Sequence, residues 1–132
     1  MKYISLASFG WFLIYALSNL VMLIIFGRLY LWLTPYNEMT EIKKGNMAPA
    51  IALCGALIGY TFPLLAVTHW GVNYIDFLIW AGVAAGVQLA LFKVLYIILP
   101  FQCEQENKAE ALLYATMAIC VGMINALSLI PA

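Results

Sequence analysis

The stretch TPYNEMTEIKKGNMAPAIALCGALIGYTFPL, from Thr34 to Leu64, decides the fold of this chain. A short charged segment comes first, and an apolar run with small residues at four-residue spacing follows it. Residues four apart share one face of a helix, so the glycines and alanines form a stripe. Small-residue stripes are typical of membrane helices, because they let two backbones approach closely. The stretch therefore predicts a surface loop followed by a membrane helix.

The rest of the chain is equally apolar. Of 132 residues, 66% are hydrophobic and only 9% are charged, which is outside the range of soluble domains. Four stretches reach the roughly 20 residues that a helix needs to cross the hydrocarbon core. They run over 3–33, 47–70, 76–100 and 111–130. We expect an all-α polytopic membrane protein, with residues 1–132 forming a single membrane domain built as a four-transmembrane-helix bundle.

The basic residues predict the orientation of this bundle. Five of the six lie at or beside the loops 34–46 and 101–110, namely Arg28, Lys43, Lys44, Lys93 and Lys108. Cytoplasmic loops are enriched in Lys and Arg, so these two loops are expected in the cytosol. The loop 71–75 and both termini are then on the outer side. Six basic and six acidic residues cancel, so no nucleic-acid partner is expected.

The first cytosolic loop carries signals for a short helix. Thr34 and Pro35 suit its N-cap and first position, and Gly45 suits a left-handed residue after its end. Asn46 can then cap the second membrane helix, with Pro49 tolerated in its first turn.

Four charged side chains of this loop are candidates for docking a soluble partner: Glu38, Glu41, Lys43 and Lys44. The simpler interpretation is a solvated face in which Glu41 pairs with Lys44. Neither a metal site nor a catalytic site is expected, because the only histidine, His69, lies on the opposite side of the membrane. No cofactor is expected either.

Small residues recur at four-residue spacing in the second, third and fourth membrane helices. The positions are Gly55 and Gly59, Gly82 and Gly86, and Ala118, Gly122 and Ala126. They predict tight helix packing and self-association of the chain into a homo-oligomer. Pro63 removes a backbone bond to the Gly59 carbonyl and predicts a kink, either static or acting as a gating hinge.

Three amides lie at membrane depth: Asn19, Gln88 and Asn125. Such groups either hydrogen-bond between helices as structural links or line a path for an ion or substrate. If the path exists, the freed carbonyl of Gly59 before Pro63 belongs to it.

Two pairs of ionisable residues have further alternatives. Arg28 and Lys93 each precede a proline by seven residues, which places them about 10 Å inside the cytosolic boundary. They either snorkel to the surface or form an inner site for an anion or lipid headgroup. At the outer end, Asn73 and Asp76 suit a helix cap, and a contact between His69 and Asp76 is the alternative, as a pH sensor.

A second pattern recurs at an offset of 65 residues. Arg28, Pro35, Glu41 and Lys43 match Lys93, Pro100, Glu106 and Lys108. The pattern indicates either the general likeness of cytosolic loops or two parallel helical-hairpin repeats.

The run T-P-x-x-E, the following G-N and the pattern A-I-A-L-x-G-A-L-I-G-Y-x-x-P-L resemble the YjfL-like family of bacterial inner-membrane proteins. The likeness continues through Asp76, Phe77, Trp80, Val87 to Leu89 and Pro100. The resemblance implies four helices in the bacterial inner membrane, with the outer loop and both termini in the periplasm. It assigns no activity. It also implies a cytosolic enzyme of the ATP-grasp ligase class as a partner.

Two functions from different classes follow as hypotheses. The first is a self-associating scaffold or accessory subunit that docks a cytosolic partner, surrounded by membrane lipids. The alternative is a small ion or solute transporter or channel that uses Gln88, Asn125 and the Gly59 to Pro63 turn. An enzyme is not expected, because no nucleophile, base and orienting group can be assembled.

Overall fold

A computed structural model of the chain describes residues 6–34, 38–100 and 107–130. These residues form five helices: α1 (Leu6–Leu33), α2 (Glu38–Lys43), α3 (Met47–Trp70), α4 (Tyr74–Ile98) and α5 (Lys108–Ser128). All of them except the short α2 are long and apolar enough to cross a membrane. No strand occurs within the described ranges. The prediction of an all-α, four-helix membrane bundle is confirmed.

Asparagine caps set the starts of α4 and α5. The Asn73 side chain accepts a hydrogen bond from the Asp76 N–H at 2.8 Å, which confirms the cap predicted there and starts α4 at Tyr74, two residues before the apolar stretch at 76. Asn107 accepts one from the Glu110 N–H at 3.2 Å, so α5 begins at Lys108 rather than at residue 111. In both cases the cap satisfies an amide that the helix leaves unpaired.

Proline sets the end of α4. The helix stops at Ile98, and Leu99 leaves the helical conformation with φ −135°. A residue before proline is disfavoured in the helical region, and Leu99 precedes Pro100. The helix therefore ends two residues earlier than predicted.

The junction between α2 and α3 has the predicted signals. Gly45 adopts the left-handed conformation with φ 91°. Asn46 caps α3, because its side chain accepts a hydrogen bond from the Ala48 N–H at 3.1 Å. Both predictions are confirmed, whereas the predicted helix start at Pro35 lies outside the described residues.

Helix α3 lies at the centre of the bundle. α1, α4 and α5 all pack against it, and α5 does so most extensively. The core combines small residues of α3 and α5 with a set of buried rings from α1, α3 and α4, namely Phe26, Tyr30, Tyr60 and Phe77. α1 lies at the edge, and Phe26 and Tyr30 are its two buried side chains among those described.

The helix ends bear on the proposed duplication. α1 ends at Leu33 and α4 at Ile98, an offset of 65 residues, as a repeat predicts. α3 begins at Met47, which corresponds to residue 112, but α5 begins at Lys108. The loop between α4 and α5 falls mostly at 101–106, outside the described residues, so the repeat stays a prediction.

Candidate functional site

Small residues bring α3 and α5 into direct backbone contact. A methyl group added at Gly55 would overlap the backbone of Ala115. One added at Gly122 would overlap the Gly59 carbonyl. Only glycine fits where two helix backbones meet this closely. The stripe of α3 and the stripe of α5 are therefore used inside the chain.

The turn before Pro63 is part of this contact. α3 stays helical through Pro63, and both Gly59 and Pro63 are buried. Pro63 cannot donate to the Gly59 carbonyl, and that carbonyl lies against Gly122 of α5. The freed oxygen is thus covered by the neighbouring helix, which favours a fixed bend over a hinge that lines a path.

The three deep amides connect helices at different places. The Gln88 Nε2 group donates to the Ala118 carbonyl at 2.8 Å, joining α4 to α5. The Asn125 Nδ2 group donates to the Ala84 carbonyl at 3.1 Å, joining the same two helices with the donor now on α5. The Asn19 amide bonds to the Thr68 hydroxyl at 3.1 Å, joining α1 to α3. Each amide has the arrangement expected of a structural link.

A cleft of about 190 Å³ opens between α4 and α5 beside Gln88. Two hydrogen bonds bracket it: the one from Gln88 to Ala118, and one from the Tyr114 hydroxyl to the Leu99 carbonyl at the other end. Aromatic and aliphatic side chains line it, including Phe26, Tyr30, Leu91, Phe92, Val94 and Met117.

Gln88 is the deep amide among the residues that line this cleft. Its residue is only 4% exposed. Its Oε1 atom is buried and has no hydrogen-bond partner among the described residues. Buried acceptors are normally paired, so this oxygen is an exception to the usual pattern.

The sequence did not predict the cleft. The available signal was spacing, because Phe92 lies one helical turn after Gln88 and Tyr114 one turn before Ala118. That spacing places a ring beside each partner of the hydrogen bond. It does not show that α4 and α5 separate there.

The third small-residue stripe, on α4, differs from the other two. Gly82 and Gly86 are exposed, and a methyl group added at either would have no neighbour within 4 Å. Ala90 continues this exposed row by one turn, and Ile79 and Val83 flank it. The face has no partner within the described part of the chain.

The loop residues form the expected solvated face only in part. Glu38 is buried, at 1% exposure, so the expectation of an exposed carboxylate there was wrong. The short helix α2, of six residues, packs against α3. Glu41 and Lys44 do form the expected ion pair, at 3.6 Å. Lys43 and Lys44 remain exposed.

The two intramembrane cations lie on the outside of the bundle. Arg28 and Lys93 are both exposed, and the Lys93 ammonium lies 5.9 Å from the centre of the Tyr96 ring. No acidic residue pairs with either cation in the described ranges. Long exposed side chains near the helix ends suit snorkelling to the membrane surface.

The N-terminal end of α4 uses Asp76 as a capping group. Its carboxylate accepts a hydrogen bond from the Val72 N–H at 3.0 Å. His69 instead lies edge-on to Trp70, with ring centres 4.7 Å apart. Among the residues that the structure describes, no ion pair joins His69 to Asp76, so the geometry favours capping over the pH sensor. Nor does any group of three His, Cys, Asp or Glu side chains that could hold a metal occur among them.

Comparison with known proteins agrees with the resemblance seen in the sequence. The profile of the DUF350 family, described as Domain of Unknown Function, matches residues 3–129. The UPF0719 inner membrane protein YjfL of Escherichia coli (strain K12) is 33% identical over 115 residues, which cover 85% of this chain and 87% of that protein. The protein of the same name from Escherichia coli O157:H7 matches equally well. No solved structure matches the chain. The chain therefore belongs to the DUF350 family, and it is an integral, multi-pass protein of the inner membrane.

Proposed function

We propose that this protein is a non-catalytic accessory protein of the inner membrane whose copies associate through α4. The open stripe at Gly82 and Gly86 carries the proposal. The corresponding glycines of α3 and α5 already pack against each other's helix within the chain. A methyl group added at either glycine of α4 would have no neighbour within 4 Å.

A second copy of the chain suits this face better than lipid does. Lipid chains are as apolar as the helix, so burying apolar surface supplies no drive toward a partner helix. Glycines at four-residue spacing instead allow close backbone packing, which does favour association. α3 and α5 of this chain already pack in this manner.

Replacing Gly86 with leucine tests the proposal. The side chain would point into open space in one copy, so the fold is kept, but it would separate two copies. We expect wild-type protein to dimerise in detergent micelles by sedimentation equilibrium, and Gly86→Leu to weaken association by about tenfold or more. Gly10→Leu is the matched control, because Gly10 also has no neighbour within 4 Å. A wild-type protein that stays monomeric, or equal association of all three proteins, contradicts the proposal.

The exposed lysines of the first cytosolic loop form the docking part of the proposal. Since Glu41 pairs with Lys44, Lys43 is the exposed charge of the loop that takes part in no ion pair among the described residues. A cytosolic partner, such as an enzyme, would therefore present an acidic surface. This assignment also requires the loop 34–46 to face the cytosol and both termini to face the periplasm.

A charge reversal tests the docking loop. We expect the variant with both Lys43→Glu and Lys44→Glu to lose the partner that copurifies with wild-type protein. The variant with Lys43→Arg and Lys44→Arg keeps the charge and should retain it. Retention by both variants counts against docking at this loop.

The transporter alternative has no comparable observation in its favour. The three deep amides serve separate interhelical bonds, and the Gly59 carbonyl is covered by α5.

A further inference from the structure

A cavity of about 300 Å³ lies where the ends of three helices meet. Its lining comes from the end of α3, the start of α4 and the end of α5. The polar and aromatic members of this lining are Trp70, Asp76, Trp80 and Ser128. We call this space the end cavity.

The surroundings of the end cavity are negative. α3 and α5 both finish there, and the C-terminal end of a helix carries about half a negative charge. The one N-terminal end, that of α4, is positive but carries the Asp76 carboxylate. No basic side chain lines the cavity within the described part of the chain. The sum of these charges favours a cation.

Two side chains of the end cavity can accept hydrogen bonds from a ligand. Asp76 is partly exposed and takes part in no ion pair among the described residues. One of its oxygens accepts from the Val72 N–H at 3.0 Å, and a carboxylate has room for further donors. The Ser128 hydroxyl donates to the Ile124 carbonyl at 2.9 Å, so its oxygen is left to accept.

The two indole rings indicate the kind of cation. Trp70 and Trp80 are 47% and 45% exposed, and indole faces attract organic ammonium groups more strongly than other rings do. Trp80 follows Asp76 by one helical turn, so carboxylate and indole lie near one face of α4. A divalent metal ion would require several oxygen ligands. Among the described residues no group of three side chains supplies them.

An apolar groove continues from the end cavity. It has a volume of about 470 Å³, lies between α3 and α5, and shares Trp70 and Ile130 with the end cavity. It extends from Trp70 back to Phe62, about 12 Å along α3. Its other apolar members include Leu65, Met123 and Leu127. A cation site that opens into such a groove suits an amphiphile with a hydrocarbon chain.

N–H donors lie at the junction of the groove and the end cavity. Trp70 lines both spaces, and His69 of the groove lies edge-on to it, with ring centres 4.7 Å apart. Both side chains carry an N–H group that can donate to an anionic oxygen. A phosphate joined to an ammonium on one side and to a hydrocarbon chain on the other would lie at this junction.

We propose that the end cavity and the groove together bind one phospholipid whose headgroup ends in a primary ammonium. The ammonium donates to Asp76 and Ser128, and one acyl chain lies in the groove. Gly82 and Gly86 line neither space, so the site does not depend on self-association through α4.

Lipid binding to the full-length protein tests the headgroup. Delipidated protein in detergent is titrated with phosphatidylethanolamine or with phosphatidylglycerol of the same acyl chains, and native mass spectrometry counts the bound lipids. We expect the first phosphatidylethanolamine to bind about tenfold more tightly, because it alone brings an ammonium to the carboxylate. Equal affinities, or tighter binding of phosphatidylglycerol, would mean ordinary lipid contact and overturn the proposal.

Replacing Asp76 with asparagine locates the ammonium. Asp76→Asn removes the charge but keeps an oxygen that can accept from the Val72 N–H. Glu110→Gln is the matched control, because Glu110 follows the cap Asn107 as Asp76 follows Asn73. We expect Asp76→Asn to lose the preference for phosphatidylethanolamine and Glu110→Gln to keep it. A preference that survives in Asp76→Asn overturns the assignment.

Filling the groove tests the place of the acyl chain. Leu127 and Ile124 are similarly exposed on α5, at 68% and 64%, but only Leu127 lines the groove. We expect Leu127→Trp to weaken phosphatidylethanolamine binding about fivefold or more and Ile124→Trp to leave it unchanged. Soluble glycerophosphoethanolamine, which has no acyl chain, should show no detectable binding. Unchanged binding in Leu127→Trp, or equally tight binding of the soluble headgroup, overturns the role of the groove.

Discussion

Single residues decide how closely the helices of this protein meet. Gly59 and Gly122 face each other across the seam of α3 and α5, and the carbonyl that Pro63 frees lies in that contact. Gly82 and Gly86 are the same residue type at the same spacing, yet a methyl group added at either would meet no atom of another helix within 4 Å. Glycines at four-residue spacing thus give a close contact between α3 and α5, whereas on α4 the same spacing leaves a face without a neighbouring helix among the described residues.

A methyl group in the seam should destabilise the fold. We expect Gly122→Ala to lower the free energy of unfolding by about 1–3 kcal/mol, because the added carbon overlaps a backbone carbonyl that cannot move alone. SDS titration of the full chain in micelles, followed by circular dichroism, measures this. Gly10→Ala is the control and should be unchanged or slightly more stable, since alanine favours a helix. Equal stability of the two variants would mean that the seam is not tightly packed.

At the scale of elements, apolar length predicts that the helices exist, and local capping decides where they start. The cap of α4 at Asn73 was predicted and is confirmed, whereas the start of α5 was missed because Asn107 begins the helix at residues that apolarity alone assigns to a loop. The burial of Glu38 was missed for a different reason. The packing of α2 on α3 is a tertiary contact, and a charged six-residue segment carries no periodic apolar signal for it.

The cap at the start of α3 should matter to the loop before it. Asn46 accepts from the Ala48 N–H and donates to Glu41 Oε2 at 3.3 Å, so it ties α2 to α3. We expect Asn46→Ala to cost about 1 kcal/mol and to speed hydrogen exchange in α2 and the first turn of α3. Asn46→Asp keeps the capping oxygen and should preserve exchange in that first turn. Faster exchange spread over the whole of α3 would argue against a local capping role.

For the whole molecule, the sequence predicted the class of protein and its family but not the arrangement of its surfaces. The cleft depends on how α4 and α5 diverge between the bond from Gln88 and the bond from Tyr114. The open stripe depends on how α4 is rotated within the bundle. Both follow from the sum of all helix contacts, and no single stretch of sequence specifies that sum.

The orientation in the membrane is a prediction for the intact molecule. Because Lys and Arg concentrate beside the loops 34–46 and 101–110, we expect the end at Ala132 to face the periplasm. Alkaline phosphatase fused after Ala132 should be active in bacteria, and a fluorescent protein fused there should stay dark. The reverse pattern would place the basic loops outside and remove the cytosolic docking surface.

Cysteine cross-linking in native membranes tests self-association through α4 most directly. Cys54, Cys103 and Cys120 are first replaced by alanine, and single cysteines are then placed at Gly82, at Gly86 and at Ile124, an exposed position on α5. We predict that mild oxidation gives covalent dimers from Gly82→Cys or Gly86→Cys and none from Ile124→Cys. Absence of dimers at both α4 positions, or equal dimer yields at all three, would contradict association through this face.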